Sequence, residues 1–462
     1  MNRHLTTSER MFLAMARQVV MNPVVMVRCR GQLPPERVID AVARVQARHP
    51  ALQVKVVRDE RPWFSDRGVA PVSVRVLPRR DDQHWHEVVT AELNEPLDIE
   101  RGPLIRFVLL QGEDACELIC TTDHVNADGR SGLFVLRDVL RAIDDPQLRL
   151  VPLPERSCFD DYLPTGPWDL RMPDALRGLW AERSRAALHR LEGWSEGLTG
   201  RLGSLNPVAK PVVEPDASGT ADTGAGLAPI RVVHRRLDAE RTAALVAACR
   251  AHDNTVLSAL VVACAHALVT VENEGASGLI GCITPIDIRP LLSPPIGDDF
   301  GIYAWAPTSY HPMGPGSEFW GLAARARRMV RAYRSVPALA GMRRLLDAIE
   351  FVEGTAMAGV YEQINRNILD GLMVVSNLGR VSLPERVAGV EIESFGFFAM
   401  IPNIDFVLGV QSFRGVLEMN YCCSRAWMRE QLVEGVADRV EAVLDAAIGL
   451  PARGAAGRLK YR

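Results

Sequence analysis

Cys116-Glu117-Leu118-Ile119-Cys120-Thr121-Thr122-Asp123-His124-Val125-Asn126-Ala127-Asp128-Gly129 begins as an apolar run and ends on a cluster of ionisable residues. Leu118 to Thr122 is a strand candidate. A strand that delivers a histidine to the start of a loop sets the imidazole on a rigid support, from which it can project into a cleft. The ordinary histidine pKa, near 6.5, suits proton transfer at neutral pH. Beyond Asp128-Gly129 the pattern becomes helical, with Gly132, Leu133, Val135, Leu136, Val139, Leu140 and Ile143 forming a stripe at 3.6-residue spacing. Asp128 follows His124 too closely along a bent loop to be assumed its triad partner; pairing with an arginine to fix the loop is the expected role. Gly129 is expected to permit the tight turn and to leave room for a substrate. Taken alone, the pattern His-x-x-x-Asp-Gly is only moderately specific, since a lone histidine near a strand end is more often structural than catalytic.

Working outward, Leu104 to Leu110 is a second strand candidate, separated from the first by the polar turn Gly112-Glu113-Asp114. Pro34 to Pro50 has a helical start signal followed by Val38, Ala41, Val42 and Val45 on one face, and Leu52 to Val57 alternates like a strand. Leu176 to Leu202 is helical in composition. Pro207 to Pro229 is rich in Pro, Gly, Ala, Ser, Thr and Asp and reads as a linker. Arg231 to Leu237 then reads as a strand, Glu240 to His252 and Thr255 to Val271 as helices, Leu279 to Ile288 as a strand, and Gln431 to Ile448 as a final helix. The expectation is a mixed α/β chain with a first unit over residues 1–205, a flexible linker over 206–229 and a second unit over 230–462.

With 48% hydrophobic and 24% charged residues among 462, the composition is that of an ordinary soluble globular protein. The formal charge of −3, from 53 basic and 56 acidic residues, argues against nucleic acid or an anionic membrane as partner. Nine scattered cysteines with no CxxC pair offer no zinc site and read as buried free thiols in a reducing compartment. Glu9, Arg10, Arg17 and Pro23 interrupt the N-terminal apolar residues, so no signal peptide is read there. The charge-free run Thr255 to Val271, 17 residues with His266 inside, reads as a buried core helix rather than a span. A cytoplasmic location is expected.

Other segments carry a resemblance together with His124 to Gly129. They are Leu5-Thr6-Thr7-Ser8-Glu9-Arg10; Val38-Ile39-Asp40-Ala41 with Arg48-His49-Pro50-Ala51-Leu52; and Pro96-Leu97-Asp98-Ile99 with Gly102-Pro103-Leu104-Ile105-Arg106. In the second half they are Asn254 to Leu260, Pro285-Ile286-Asp287-Ile288-Arg289-Pro290 and Val374-Val375-Ser376-Asn377-Leu378-Gly379. In this order they resemble the chloramphenicol-acetyltransferase-like superfamily, which includes peptide-synthetase condensation domains, BAHD acyltransferases and polyketide-associated acyltransferases. His124 to Gly129 is similar to its HxxxDG signature. Three departures are visible. Asp123 stands where many condensation domains have a second histidine, Gln53 follows Leu52, and the DFGWG motif of plant relatives is unmatched. Its nearest likeness, Asp299-Phe300-Gly301-Ile302-Tyr303, lies closer to the family's "FGN" segment, with Ile302 replacing the asparagine. A stand-alone O- or N-acyltransferase fits this pattern best.

The resemblance implies two α/β lobes in a V around a central channel, with His124 in the channel as general base. An acyl group would pass from acyl-CoA or a phosphopantetheinyl acyl-carrier protein to an alcohol or amine acceptor, without an acyl-enzyme. It further implies Arg289 as the partner of Asp128, and Ser376 and Asn377 as oxyanion or substrate contacts. For the last three, a surface arginine and a simple strand-terminating turn are the plain alternatives. No bound cofactor or metal is expected, and the chain is expected to be a monomer. The competing reading is a catalytically silent or amide-forming condensation-like domain that docks carrier proteins.

The remaining candidates read as structural. His49, His252 and His266 lie in helical contexts. His84-Trp85-His86-Glu87 lacks the downstream histidine of a zinc helix and reads as a solvated face. Arg325, Arg327, Arg328, Arg331, Arg334, Arg343 and Arg344 form the basic cluster, for which a solvated helix is preferred over contact with CoA phosphates or an acidic carrier protein. Phe395 to Met400 reads as strand core rather than an acyl tunnel. No GxSxG, P-loop or GxGxxG motif supports a hydrolase, NTPase or dinucleotide reading.

Overall fold

The computed structural model describes residues 1–164, 228–273, 277–314, 316–349, 371–425, 428 and 430–450. The helix expected over Leu176 to Leu202, and the linker expected over 206–229 apart from its last two residues, lie outside them. Two six-stranded sheets organise the chain. The first runs, in spatial order, Arg386–Val387, Val390–Phe398, Val24–Arg30, Ala115–Thr122, Ile105–Gln111 and Val74–Pro78. The second runs Thr308–Met313, Gly278–Ile283, Gly371–Arg380, Phe406–Phe413, Val416–Ser424 and Ile230–Leu237.

Ala115–Thr122, the strand that leads to His124, is a central strand with antiparallel neighbours on both sides. It is buried from Cys116 onward, which explains its continuous apolar reading in place of alternation. Helix Gly129–Asp144 follows and buries its stripe against the same sheet and against helix Pro35–Arg48. The expected strand Leu279 to Ile288 divides into Gly278–Ile283 and Ile286–Asp287.

The sheets do not divide where the linker composition falls. Val390–Phe398 follows Gly371–Arg380 in the chain, yet it pairs with Val24–Arg30, with Phe397 opposite Val25. Residues 386–398 thereby extend the first sheet from the second half of the chain. A third apolar cluster joins the sheets: Val108 and Ile119 of the first meet Ile283, Val374 and Val407 of the second around Trp85 and Val89. Helix His84–Asn94 carries that tryptophan and is bolted to the second sheet by polar bonds. Asn94 exchanges hydrogen bonds with the Ile230 backbone at 2.7 and 2.9 Å, and His86 Nε2 lies 2.9 Å from the Val232 carbonyl oxygen. The solvated face expected around His84 is therefore corrected. His84 is buried and its Nδ1 accepts from the Arg80 amide, because this helix lies between the sheets.

Candidate functional site

His124 sits just past the strand end, in a turn whose backbone is tied on both sides. Its amide donates to the Met21 carbonyl at 2.9 Å, while the amides of Thr122 and Asp123 donate to Pro23 and Leu104. Asn126 Nδ2 donates to the Ala51 carbonyl, anchoring the loop to the segment after Arg48-His49-Pro50. The imidazole is partly exposed, but its Nδ1 is buried without an aligned hydrogen-bond partner. One ring face is covered by Phe12, with centroids 4.3 Å apart and planes 20° from parallel. Burial lowers the His124 pKa below 6.5. The Asp128 charge and the backbone carbonyls of His124 and Ala127 oppose this and do not overcome it. The ring is accordingly neutral at pH 7.

Asp128 does not hydrogen-bond to His124. Its Oδ1 accepts from the Ser131 amide and hydroxyl, each at 2.9 Å, and from Arg289 Nη2 at 3.0 Å; its Oδ2 accepts from the Tyr303 amide at 2.8 Å. The carboxylate thus caps the helix that begins at Gly129 and latches it to the segment 299–303. Burial alone would raise its pKa, but Arg289 and the amide donors outweigh burial and hold it below 3.8. Arg289 is itself buried, donates to Asp287 Oδ1 at 3.2 Å, and is flanked by the rings of Tyr303 and Phe134 at 4.8 and 5.3 Å.

Gly129 fills a different need from the turn expected of it. It is the first residue of the helix, without a left-handed φ. A Cβ there would meet Phe397 Cε2 and Cζ at 2.7 Å and Leu378 Cδ2 at 3.4 Å. The glycine lets the motif helix approach the strand donated by the second half of the chain. That strand's aromatic strip, Phe395 to Met400, is buried core.

Ser376 and Asn377 are partly exposed in Gly371–Arg380. Asn377 Oδ1 accepts from the Gly379 amide at 2.7 Å, and Gly379 has φ +75°; the register shifts here as at a β-bulge, and pairing with Phe406–Phe413 resumes at Gly379 and Arg380, so this is not a strand-terminating turn. Among the described residues no hydrogen bond joins either side chain to His124. The strand is linked to the motif helix at this irregularity through Leu378, whose carbonyl accepts from Arg130 Nη2 at 3.4 Å.

Several site residues had no part in the sequence reading. Ser131 was visible in principle, since an Asp two positions before Arg130-Ser131 is a helix-capping arrangement. Asp138 had no such signal: it is buried and held by Arg48 Nε at 2.9 Å and His49 Nε2 at 3.1 Å, which pins the motif helix to helix Pro35–Arg48. Phe12 was equally silent. Asp123, in contrast, is buried with Oδ1 accepting from the Val125 amide, and burial pushes its carboxyl up to about 6. All nine cysteines are buried free thiols. Among the described residues no group of three or more His, Cys, Asp or Glu is placed to hold a metal. Nor is any single helix among them long and apolar enough to cross a membrane.

Two family profiles match the chain: the condensation domain over residues 11–163, and the phthiocerol/phthiodiolone dimycocerosyl transferase C-terminus over residues 228–421. The chain belongs to the chloramphenicol-acetyltransferase-like condensation superfamily. Its fold is shared with polyketide synthase associated protein 5 from Mycobacterium tuberculosis at 17% identity and TM-score 0.61, covering 96% of this chain and 98% of that one. The trichothecene 15-O-acetyltransferase of Fusarium sporotrichioides aligns at 14% identity and TM-score 0.67, over 97% and 95%. The first condensation domain of the calcium-dependent antibiotic synthetase, in complex with a substrate analogue, aligns at 17% identity and TM-score 0.64, over 98% of both chains. Comparison with curated protein sequences yields no match.

Proposed function

We propose that this member of the superfamily is an acyltransferase that moves an acyl group from a CoA or acyl-carrier-protein thioester to an alcohol or amine, with His124 as general base. The observation that carries the reading is a neutral, partly exposed imidazole whose Nδ1 is buried, held at a strand end by backbone bonds. With Nδ1 carrying the hydrogen, the Nε2 lone pair is the one available to substrate.

Nε2 takes the proton of the acceptor O–H or N–H as that atom attacks the thioester carbonyl. The tetrahedral intermediate collapses, the C–S bond breaks, and the imidazolium returns the proton to the departing thiolate. This transfer is worth about 10²- to 10⁴-fold. Ser376 and Asn377 are proposed contacts to the oxyanion or substrate, supported by their partial exposure beside an irregularity in a strand tied to the motif helix. Asp128 and Arg289 hold the loop and touch no reactant. His124→Ala, assayed by thiol release from an acyl-CoA panel with candidate acceptors, should lose at least about a hundredfold in turnover with its fold intact. Equal turnover removes His124 from the mechanism.

A further inference from the structure

Arg130 is the second residue of helix Gly129–Asp144, in a first turn that holds no acidic side chain. The positive end of a helix dipole disfavours a cation there. The cap, Asp128, is already committed to Ser131, Arg289 and Tyr303, so the guanidinium relies on partners outside the helix. Two are present. Nε lies 3.3 Å from Asp287 Oδ2, and Nη2 donates to the Leu378 carbonyl at 3.4 Å. Asp287 is shared: its Oδ1 accepts from Arg289 Nη1 at 3.2 Å, while Arg289 Nη2 donates to Asp128 Oδ1 at 3.0 Å. Asp128, Arg289, Asp287 and Arg130 thus form one series of alternating charge. It starts in the loop that carries His124 and ends on the strand that carries Ser376 and Asn377.

The far end of this series meets Gly371–Arg380 where that strand is least supported. Its pairing with Gly278–Ile283 stops at Val374, and among the described strands Phe406–Phe413 alone accompanies it further. There the register slips by one residue, with Asn377 opposite Val410 and Gly379 opposite Gln411, which leaves Leu378 as the extra residue. Arg130 grips the carbonyl of that residue. The two halves of the series differ in burial. The side chains of Asp128 and Arg289 are each 3% exposed, whereas Asp287 is 21% and Arg130 35% exposed. A pair so open to water adds little to stability, so what the Arg130 contacts chiefly fix is position.

We propose that Arg130 is a positioning residue: through Leu378 it sets Ser376 and Asn377 against His124, and Asp287 holds its fork in place. This rests on the acyl-transfer reading for what those two side chains contact. Arg130 itself touches no reactant. Its removal leaves the base and the Asp128–Arg289 pair standing and frees the irregularity to drift. A misplacement of about 1 Å at a reacting centre costs up to about a hundredfold in rate.

The test pairs amide hydrogen exchange with steady-state kinetics on Arg130→Ala in the full-length chain, using an acyl-CoA panel with candidate acceptors. Exchange should speed up by about tenfold or more across residues 376–380 and stay unchanged across 123–128. The kcat should fall about tenfold or more while KM for donor and acceptor stays within about twofold, the split expected of a contact made in the transition state. Thermal melting should move far less than for Asp128→Asn. In a chain carrying Ser376→Ala and Asn377→Ala together, adding Arg130→Ala should cost less than about twofold in kcat, because the arginine acts through those two residues. Unchanged exchange at 376–380 overturns the proposal whatever the turnover. A raised KM with kcat unchanged, or an undiminished loss in the doubly substituted chain, overturns it as well. His124→Ala separates the two readings: if Arg130→Ala loosens 376–380 while His124→Ala turns over unimpaired, or while the unmodified chain turns over no donor, the grip on the strand stands and the acyl-transfer reading fails.

Discussion

Phe12 lies face to face with His124, at a centroid separation of 4.3 Å, and no feature of the opening residues announces this. The stack joins the first helix to the loop after the central strand, and burial of the imidazole is the leading cause of its lowered pKa. Phe12→Ala should admit water to that ring face and raise the His124 pKa toward 6.5. The acid limb of a kcat/KM–pH profile would then move to higher pH, because a larger fraction of the base is protonated at a given pH. A profile with an unmoved limb would show that Phe12 does not set the imidazole's protonation.

Asp128→Asn keeps the size of the side chain and removes the charge facing Arg289, which is buried. Breaking one partner of a buried pair costs about 3–5 kcal/mol. The Asp128 pKa is lowered in the folded chain, so its contribution is fully present above about pH 4 and is lost as pH falls through the folded value. Denaturant unfolding should show a large deficit for the variant at pH 7 and a shrinking one in acid. Equal stability at pH 7 would remove the latch role.

Gly129→Ala places a methyl 2.7 Å from the Phe397 ring. Phe397 is core, paired with Val25 and with its carbonyl accepting from Asn420 Nδ2, so relief must come from shifts in strand or helix, at a cost of about 1–3 kcal/mol. Phe397→Leu in the same chain should recover part of the loss, because the two positions share one contact. Additive melting shifts for the two single variants and the double variant, each against the unmodified chain, would mean that the glycine serves some other purpose.

The legible parts were those in which local pattern and tertiary demand agree. The stripe from Gly132 to Ile143 and the run from Leu118 to Thr122 name their elements because a helix face and a doubly covered strand impose distinct periods. Arg289 could be paired with Asp128 only through the ordered family segments, since 161 residues separate them and no local rule links the two. The transfer of Val390–Phe398 to the first sheet was not legible, because an aromatic strand reads alike in either sheet. His84 misled for a related reason: its segment is polar enough to resemble a surface helix, yet Trp85, Val88 and Leu93 turn that helix into the wedge between the sheets. Gly129 looked like a turn residue because glycine marks both a left-handed φ and a close approach, and only the neighbour, Phe397, separates them.

Asp123→Asn makes the reverse claim to Asp128→Asn, from a carboxylate one residue before the imidazole. Here burial prevails: the Val125 amide is the partner opposing it, and the folded pKa rises to about 6. Between about pH 4 and pH 6 the unfolded chain releases this proton while the folded chain keeps it, so stability falls as pH rises through that window and stays lowered above it. Asparagine retains an oxygen for the Val125 amide and carries no charge. The variant should therefore match the unmodified chain near pH 4 and exceed its stability by about 1–3 kcal/mol at pH 7.5, where two pKa units are worth at most about 3. Urea unfolding at the two pH values decides this, and a deficit at pH 7.5 would mean that the charge at Asp123 is held by an attraction stronger than its burial.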